Sequence, residues 1–403
     1  MKIYLGRQAI YDTKLNVFAY ELLYRSGEQN ISNVVDGDSA TSAVITNSIM
    51  LFGLDQLTQG RRAFINFTKN LIIDEMPQVF DKSSIVVELL EDIVPDETFI
   101  RACLDLKKKG YVLALDDYCL KNEHMSLLKI IDIIKVDFRL TTPAEQAEIV
   151  QRYKNYNIIY LAEKVESEEE YARAVQDGYK LFQGFFFSKP AVMSTKDFKA
   201  QTFNYIKILQ EVDADVPNMS NIARIFESDI ALSYRLLKLL NSAAFQTRSA
   251  IKSINHALMM LGLREIRKWI MLMMMRDLGE NRPDELVRLS LVRGKFCEFV
   301  ASDTNEEERK TEAFLMGTFS MIDLLVGQEL SDILKEVPLS TDIKGALLGE
   351  VNMFSEILGL AVSYEFANWD DVERISGKLG VDEDQIMNYY VKSLDFAAVV
   401  MEG

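Results

Sequence analysis

Eight polar side chains interrupt or end apolar runs along the first half of this chain. Glu21 lies in YELLYR, Asn66 in INFT, Glu88 in VVELLE and Asp116 with Asp117 in LALDDY. Lys135 follows in IKVD, Glu163 in LAEKVE and Gln183 in FQGFFF. Taken singly, each acid is most simply a helix cap or a surface ion pair. Together, on seven successive strand-like runs, they have a different meaning, because a buried charge is costly unless it is paired or bound to a metal. Carboxylates joined by an amide oxygen form a hard-oxygen site suited to Mg²⁺ or Mn²⁺. Adjacent acids such as Asp116 and Asp117 could hold one or two such ions, and two ions suit in-line displacement at phosphorus. A second chemistry fits the same residue types: a Mg²⁺ site in which Lys135 is the base for enolate formation.

These residues need elements that bring them together. The runs FAYELLYR, RAFINFT, SIVVELLE, VLALDDY, DIIKVD, IIYLAEKVE and KLFQGFFF read as strands separated by helical patterns. Each interval fits one strand, one helix and two loops, which predicts an α/β domain closed as a (β/α) barrel, with strand ends converging on one rim. From about residue 197 the pattern becomes helical, as in IALSYRLLKLLNSAAF and DELVRLSLVRGKFCEFVA. The expected organisation is a barrel over 1–196 and an all-α domain over 197–403, parted near SKPAVMSTKDF, where Pro190 precedes candidate caps at Ser194 and Thr195.

Composition narrows the classes further. The 403 residues carry a net charge of −16, which disfavours non-specific nucleic-acid binding, since phosphate contacts need clustered Lys and Arg. Cys103, Cys119 and Cys297 show no paired spacing, so neither a disulfide framework nor a thiolate metal site is expected. No apolar run reaches a membrane span and MKIYLGRQAIYD has no secretory h-region, so the expected location is the cytoplasm, without direct membrane binding.

The motifs also resemble a known family. YELLYR is similar to the Glu-Ala-Leu signature of EAL domains, and the match continues in order through INFT, ELLE, LDDY, IKVD, AEKVE and QGFFFSKP. The resemblance implies a TIM-like (β/α)8 barrel with one antiparallel strand, binding cyclic di-GMP with Mg²⁺ or Mn²⁺ and, where active, hydrolysing it to the linear dinucleotide. It implies that Glu21, Asn66, Glu88 and Asp116 ligate one metal and Asp117 the second. Lys135 would position the attacking water, Glu163 would support or deprotonate it, Gln183 would complete the site and Arg25 would contact the dinucleotide. Three departures stand out. Leu22 replaces the signature alanine and is expected to narrow the pocket floor, and Lys164 replaces the usual glycine. DDYCLKNEHM replaces DDFGTGYSS in a loop associated with metal ordering and dimerisation, with a homodimer as the candidate assembly. The alternative reading is a catalytically silent scaffold acting only through protein contacts.

The helical half resembles an HDOD domain, an HD-related fold without that class's metal ligands, in SNIARIFESDIALSYRLLKLLNSAAF, AIKSINHALMMLGLREIRKW and AFLMGTFSMIDLL. Ser320-Met321 stands where a hydrolase would place a His-Asp doublet, and the chain has only 2 histidines, His124 and His256. A regulatory module that engages a protein partner is implied. Arg264, Arg267 and Lys268, at helical spacing, are the expected contacts to an acidic partner surface.

Overall fold

The computed structural model describes residues 3–26, 53–90, 93–120, 126–184, 200–212, 214, 216–228, 232–233, 236, 253–278, 284–326, 329–337 and 339–402. The expected boundary between 196 and 197 lies outside them, as does most of CLKNEHM.

Eight strands form a closed barrel in chain order: β1 (Ile3–Asp12), β2 (Val17–Ser26), β3 (Arg62–Phe67), β4 (Ile85–Leu89), β5 (Val112–Leu115), β6 (Ile133–Asp137), β7 (Ile159–Glu163) and β8 (Leu181–Phe182). β1 runs antiparallel to both β2 and β8, while every other pairing is parallel. The hairpin that reverses β1 is set by Asp12, whose Oδ1 accepts the backbone N–H groups of Lys14 (2.8 Å) and Asn16 (2.9 Å). This first strand is absent from the sequence expectation of seven runs.

Around the barrel, helices α1 (Leu54–Thr58), α2 (Lys69–Ile73), α3 (Glu97–Lys109), α4 (Pro143–Arg152) and α5 (Glu168–Asp177) alternate with the strands. Their starts are coded locally. Thr68, Asp96, Thr142 and Ser167 each accept a backbone N–H at a helix entry, and Thr142 forms a full capping box with Glu145.

The interior is laid down in layers. Ile10, Ala19, Phe64, Val86, Ala114, Ile133, Leu161 and Leu181, one from each strand, pack into a single buried cluster. Strand side chains alternate with period two. The residue two places further toward the C-terminal rim is therefore Glu21, Asn66, Glu88, Asp116, Lys135, Glu163 or Gln183 on β2 to β8 and their immediate continuations. On the antiparallel β1 the corresponding position is two places earlier, Gln8.

The compact unit built on the barrel also takes in Val362–Ser376 and Asp382–Val391. The Tyr364 hydroxyl donates to the Leu5 carbonyl of β1 at 3.0 Å, and the Trp369 ring stacks edge-on against Tyr364 at 5.3 Å. Gly6 gives Trp369 its place, since a Cβ there would lie 3.2 Å from the indole. The second compact unit covers Pro190–Ala361, Gly377–Val381 and Lys392–Gly403. It contains α6 (Ala200–Val212), α7 (Met219–Glu227), α8 (Ile254–Leu278), α9 (Asp284–Ser302) and α10 (Lys310–Phe319). Gly262, at φ 76° and ψ 160°, breaks α8 into two helical stretches. Helices α9 and α10 cross at Gly294 and Gly317, where a Cβ on Gly317 would sit 2.8 Å from the Gly294 Cα.

Of the three cations expected to face a partner, one does not. Arg264 is exposed and Arg267 is half-buried, but Lys268 is buried, 2.8 Å from Glu298 and 4.1 Å above the Phe314 ring. Helical spacing placed three cations near one another without showing that one of them faces the core. At the doublet position, Ser320 accepts a hydrogen bond from Arg293 at 2.8 Å and Met321 is buried. No described helix is long and apolar enough to cross a membrane.

Candidate active site

The rim layer closes around Lys135. Its ammonium lies 2.6 Å from Glu88, 2.8 Å from Asp116, 2.9 Å from Glu163 and 3.1 Å from Glu21. The side chain is only 1% exposed. Four carboxylates thus face one cation that has three N–H groups, so they exceed both its charge and its donors.

Burial and this imbalance push Glu88 and Glu163 upward. The Glu88 carboxyl is raised well above the ordinary range, mainly by burial and then by Glu21 and Asp116, although Lys135 opposes the shift. Glu163 is raised to about 8, again by burial first, with Asp116 and Glu21 adding to it. Burial would lower the Lys135 ammonium, but Glu163, Glu21, Glu88 and Asp116 outweigh it and hold the group well above its usual range. A lysine held in its charged form is not a general base. In the metal-free barrel this disfavours Lys135 as the base of an enolate mechanism.

Backbone pairing fixes each rim residue. Asn66 and Glu88 are register partners on β3 and β4. Asp116 N–H donates to Leu89 O at 3.0 Å and Tyr118 N–H to Lys135 O at 2.9 Å, so the acidic pair is strung between β4 and β6. Asp117 takes the left-handed region, at φ 39°, and its N–H donates to the Asp116 carboxylate at 3.1 Å. Glu163 is paired in register with Asp137. The Gln183 amide donates to Glu21 at 2.7 Å and to Gln8 at 2.9 Å. Beyond it, Gly184 permits an approach no other residue allows, because a Cβ would fall 2.3 Å from backbone atoms of Val165. That approach lets Val165 N–H reach Gln183 O at 3.0 Å.

The structure therefore brings together Glu21, Glu88, Asp116, Lys135, Glu163 and Gln183, with Asn66 and Asp117 at the same rim. Arg25 pairs with Tyr4 on the hairpin, and its side chain lies outside the described residues. Leu22 does not form the pocket floor. It neighbours Glu21 on a strand, so alternation turns it to the opposite face, where it is buried. Gln8 is the rim residue that sequence reasoning missed. Its signal was the alternation in GRQAIYD, legible once those residues are taken as a strand.

Two groups of acids can converge on a cation: Glu21, Glu88 and Asp116, and Asp116, Asp117 and Glu163, each with ligand oxygens within 4.8 Å of one another. The fit goes beyond acidity. Both Glu88 oxygens and the Gln183 amide oxygen are shielded from solvent without accepting a well-directed hydrogen bond, and the Lys135 approach to Glu88 is an ion pair. Unsatisfied buried oxygens and excess negative charge suit a hard divalent cation.

Comparisons with known proteins match both halves of the chain. The EAL domain model matches residues 42–190 and the HDOD domain model residues 202–338. YuxH of Bacillus subtilis, an uncharacterized protein, is 38% identical over the full length of both chains. The chain belongs to the EAL–HDOD family. The cyclic di-GMP phosphodiesterase CdgJ of Vibrio cholerae is 30% identical over 97% of this chain and 91% of its own length. BlrP1 of Klebsiella pneumoniae, solved as a manganese and cyclic di-GMP complex, aligns at 25% identity and a TM-score of 0.40, over 46% of this chain and 55% of that one. In the EAL–HDOD arrangement the rim just described belongs to the EAL barrel.

Proposed function

We propose that this chain acts in cyclic di-GMP signalling, with its EAL barrel binding the dinucleotide through Mg²⁺ or Mn²⁺ and hydrolysing one of its phosphodiester bonds. The observation that carries the reading is the surplus of buried carboxylates around Lys135, which protons relieve in the metal-free barrel and divalent cations would balance once the acids ionise. The family relationship to a cyclic di-GMP phosphodiesterase supports the same reading.

In this reading Glu21, Asn66, Glu88 and Asp116 hold one ion, and Asp117, with Asp116 and Glu163 beside it, holds a second. Bound cations would supply charge stabilisation at phosphoryl oxygens and a more acidic water. Lys135 keeps the carboxylates at ligand spacing and orients the water. Glu163, whose proton affinity is raised by its surroundings, takes the water's proton as the new phosphorus–oxygen bond forms. One ester bond of the ring then breaks, giving the linear dinucleotide. Gln183 fixes Glu21, and Gln8 fixes Gln183. Arg25 is assigned to the dinucleotide itself, and the HDOD unit to a protein partner.

Chromatography of cyclic di-GMP incubated with purified protein and Mn²⁺ tests the proposal. Appearance of the linear product, lost in Glu163→Gln, is expected. Binding without any product would leave the barrel as a receptor. No binding with either ion would favour the scaffold reading.

A further inference from the structure

Lys164 follows Glu163 directly and takes the left-handed backbone region, at φ 54°. A side chain pays a conformational penalty there that glycine does not. Such outliers persist where the surroundings enforce them, often at functional sites. The surroundings are explicit. The Lys164 ammonium pairs with Asp137, which is 2% exposed and also accepts the Arg139 N–H at 2.6 Å. The same charge interacts favourably with Asp117 and Glu163, two of the three acids of the second cation group. Asp137 and Glu163 are register partners on adjacent strands, so the anchor and the cation group share one stretch of rim.

We propose that Lys164 is a built-in monovalent cation that competes with the second divalent ion and sets how many metals the barrel holds. This rests on the metal-dependent reading of the site. A fixed positive charge beside Asp117 and Glu163 lowers the negative potential that would attract a divalent ion there, and leaves the group of Glu21, Glu88 and Asp116 less affected, since Glu21 and Glu88 are not among the acids it acts on. Asp137 keeps the ammonium at the margin instead of letting it swing onto the ligands. Lys164 is thus a positioning residue acting through charge. It contributes no bond to the reaction.

Titration of the full-length protein with Mn²⁺ alone, followed by calorimetry and by the signal of free Mn²⁺ in electron paramagnetic resonance, tests this. Wild type should show one tight ion and a second much weaker one. Lys164→Met, which keeps the backbone demand and removes the charge, should tighten the second ion by about tenfold or more. Lys164→Gly should do the same, guarding against a misfolded Met variant, and Lys164→Arg should behave as wild type. Asp137→Asn, which releases the ammonium toward Asp117 and Glu163, should weaken the second ion, and adding Lys164→Met should restore it. Equal stoichiometry and affinity in wild type, Lys164→Met and Lys164→Gly would overturn the inference while leaving the metal site standing. Absence of any Mn²⁺ binding in all of them would overturn both.

Discussion

The two compact units treat buried charge in opposite ways. At the barrel rim four carboxylates converge on the single buried ammonium of Lys135. In the helical unit the buried charges are close to balanced: Lys268 and Lys295 share Glu298 at 2.8 and 2.9 Å and rest on the rings of Phe314 and Phe299. Nearer the surface, half-buried Arg309 engages Glu312 at 2.8 Å and Asp342 at 2.6 Å, holding the latter's carboxyl down at about 2. A self-satisfied ion cluster explains itself as packing, with nothing left for a ligand to supply. A surplus of one sign, kept out of water, costs several kcal/mol per unpaired ion and is evidence of a missing counter-charge. In the proposed reading, function in this chain is legible as electrostatic imbalance.

The sharpest way to break that contrast is to remove the buried cation at the centre of the rim. Lys135→Met should destabilise the metal-free protein by about 3–5 kcal/mol at pH values where the acids are ionised, because the carboxylates lose the one cation in contact with all four of them. Adding Mn²⁺ should recover much of the loss. Chemical denaturation with a chelator and with Mn²⁺ checks both, and a variant as stable as wild type without metal would contradict the account.

Proton linkage gives the next largest effect. Glu163 is raised from 4.5 to about 8, and Glu88 is raised as well. For acids raised on folding, the stabilising contribution is complete below pH 4.5 and lost as pH climbs through the folded value. With a chelator present, the melting temperature of the barrel should fall as pH rises from about 4.5 to 8. Saturating Mn²⁺ should flatten that slope, since the ions replace the protons. A melting temperature independent of metal across this window would count against a cation-binding rim.

The helical cluster should respond more mildly. Lys268→Met leaves Glu298 still paired with Lys295 and keeps an apolar stem against Phe314, so a loss of about 1–2 kcal/mol is expected, insensitive to divalent ions. A metal-dependent change would erase the distinction between the units.

Much of this was readable in advance, for a physical reason. Side-chain alternation on a strand ties each rim residue to a core residue two places away, so Ala19 and Glu21, or Val86 and Glu88, report one another through sequence alone. The antiparallel β1 escaped because Arg7 and Gln8 dilute its apolar character, and Gln8 escaped with it. Leu22 was misjudged by giving a neighbour of Glu21 the same face. Lys268 was misjudged because spacing along a helix does not reveal which side meets the core. The pairing of Lys164 with Asp137 joins residues on different elements, and no local pattern announces it.

The central claim is that divalent cations complete the rim and that cyclic di-GMP binds through them. Calorimetric titration of the full-length protein with cyclic di-GMP, with Mg²⁺ and then with a chelator, tests it most directly, using Asp116→Ala as the control. The account predicts binding with Mg²⁺ that falls at least about a hundredfold with chelator or in Asp116→Ala, a loss of about 2.7 kcal/mol. Equal affinity under all three conditions would contradict it.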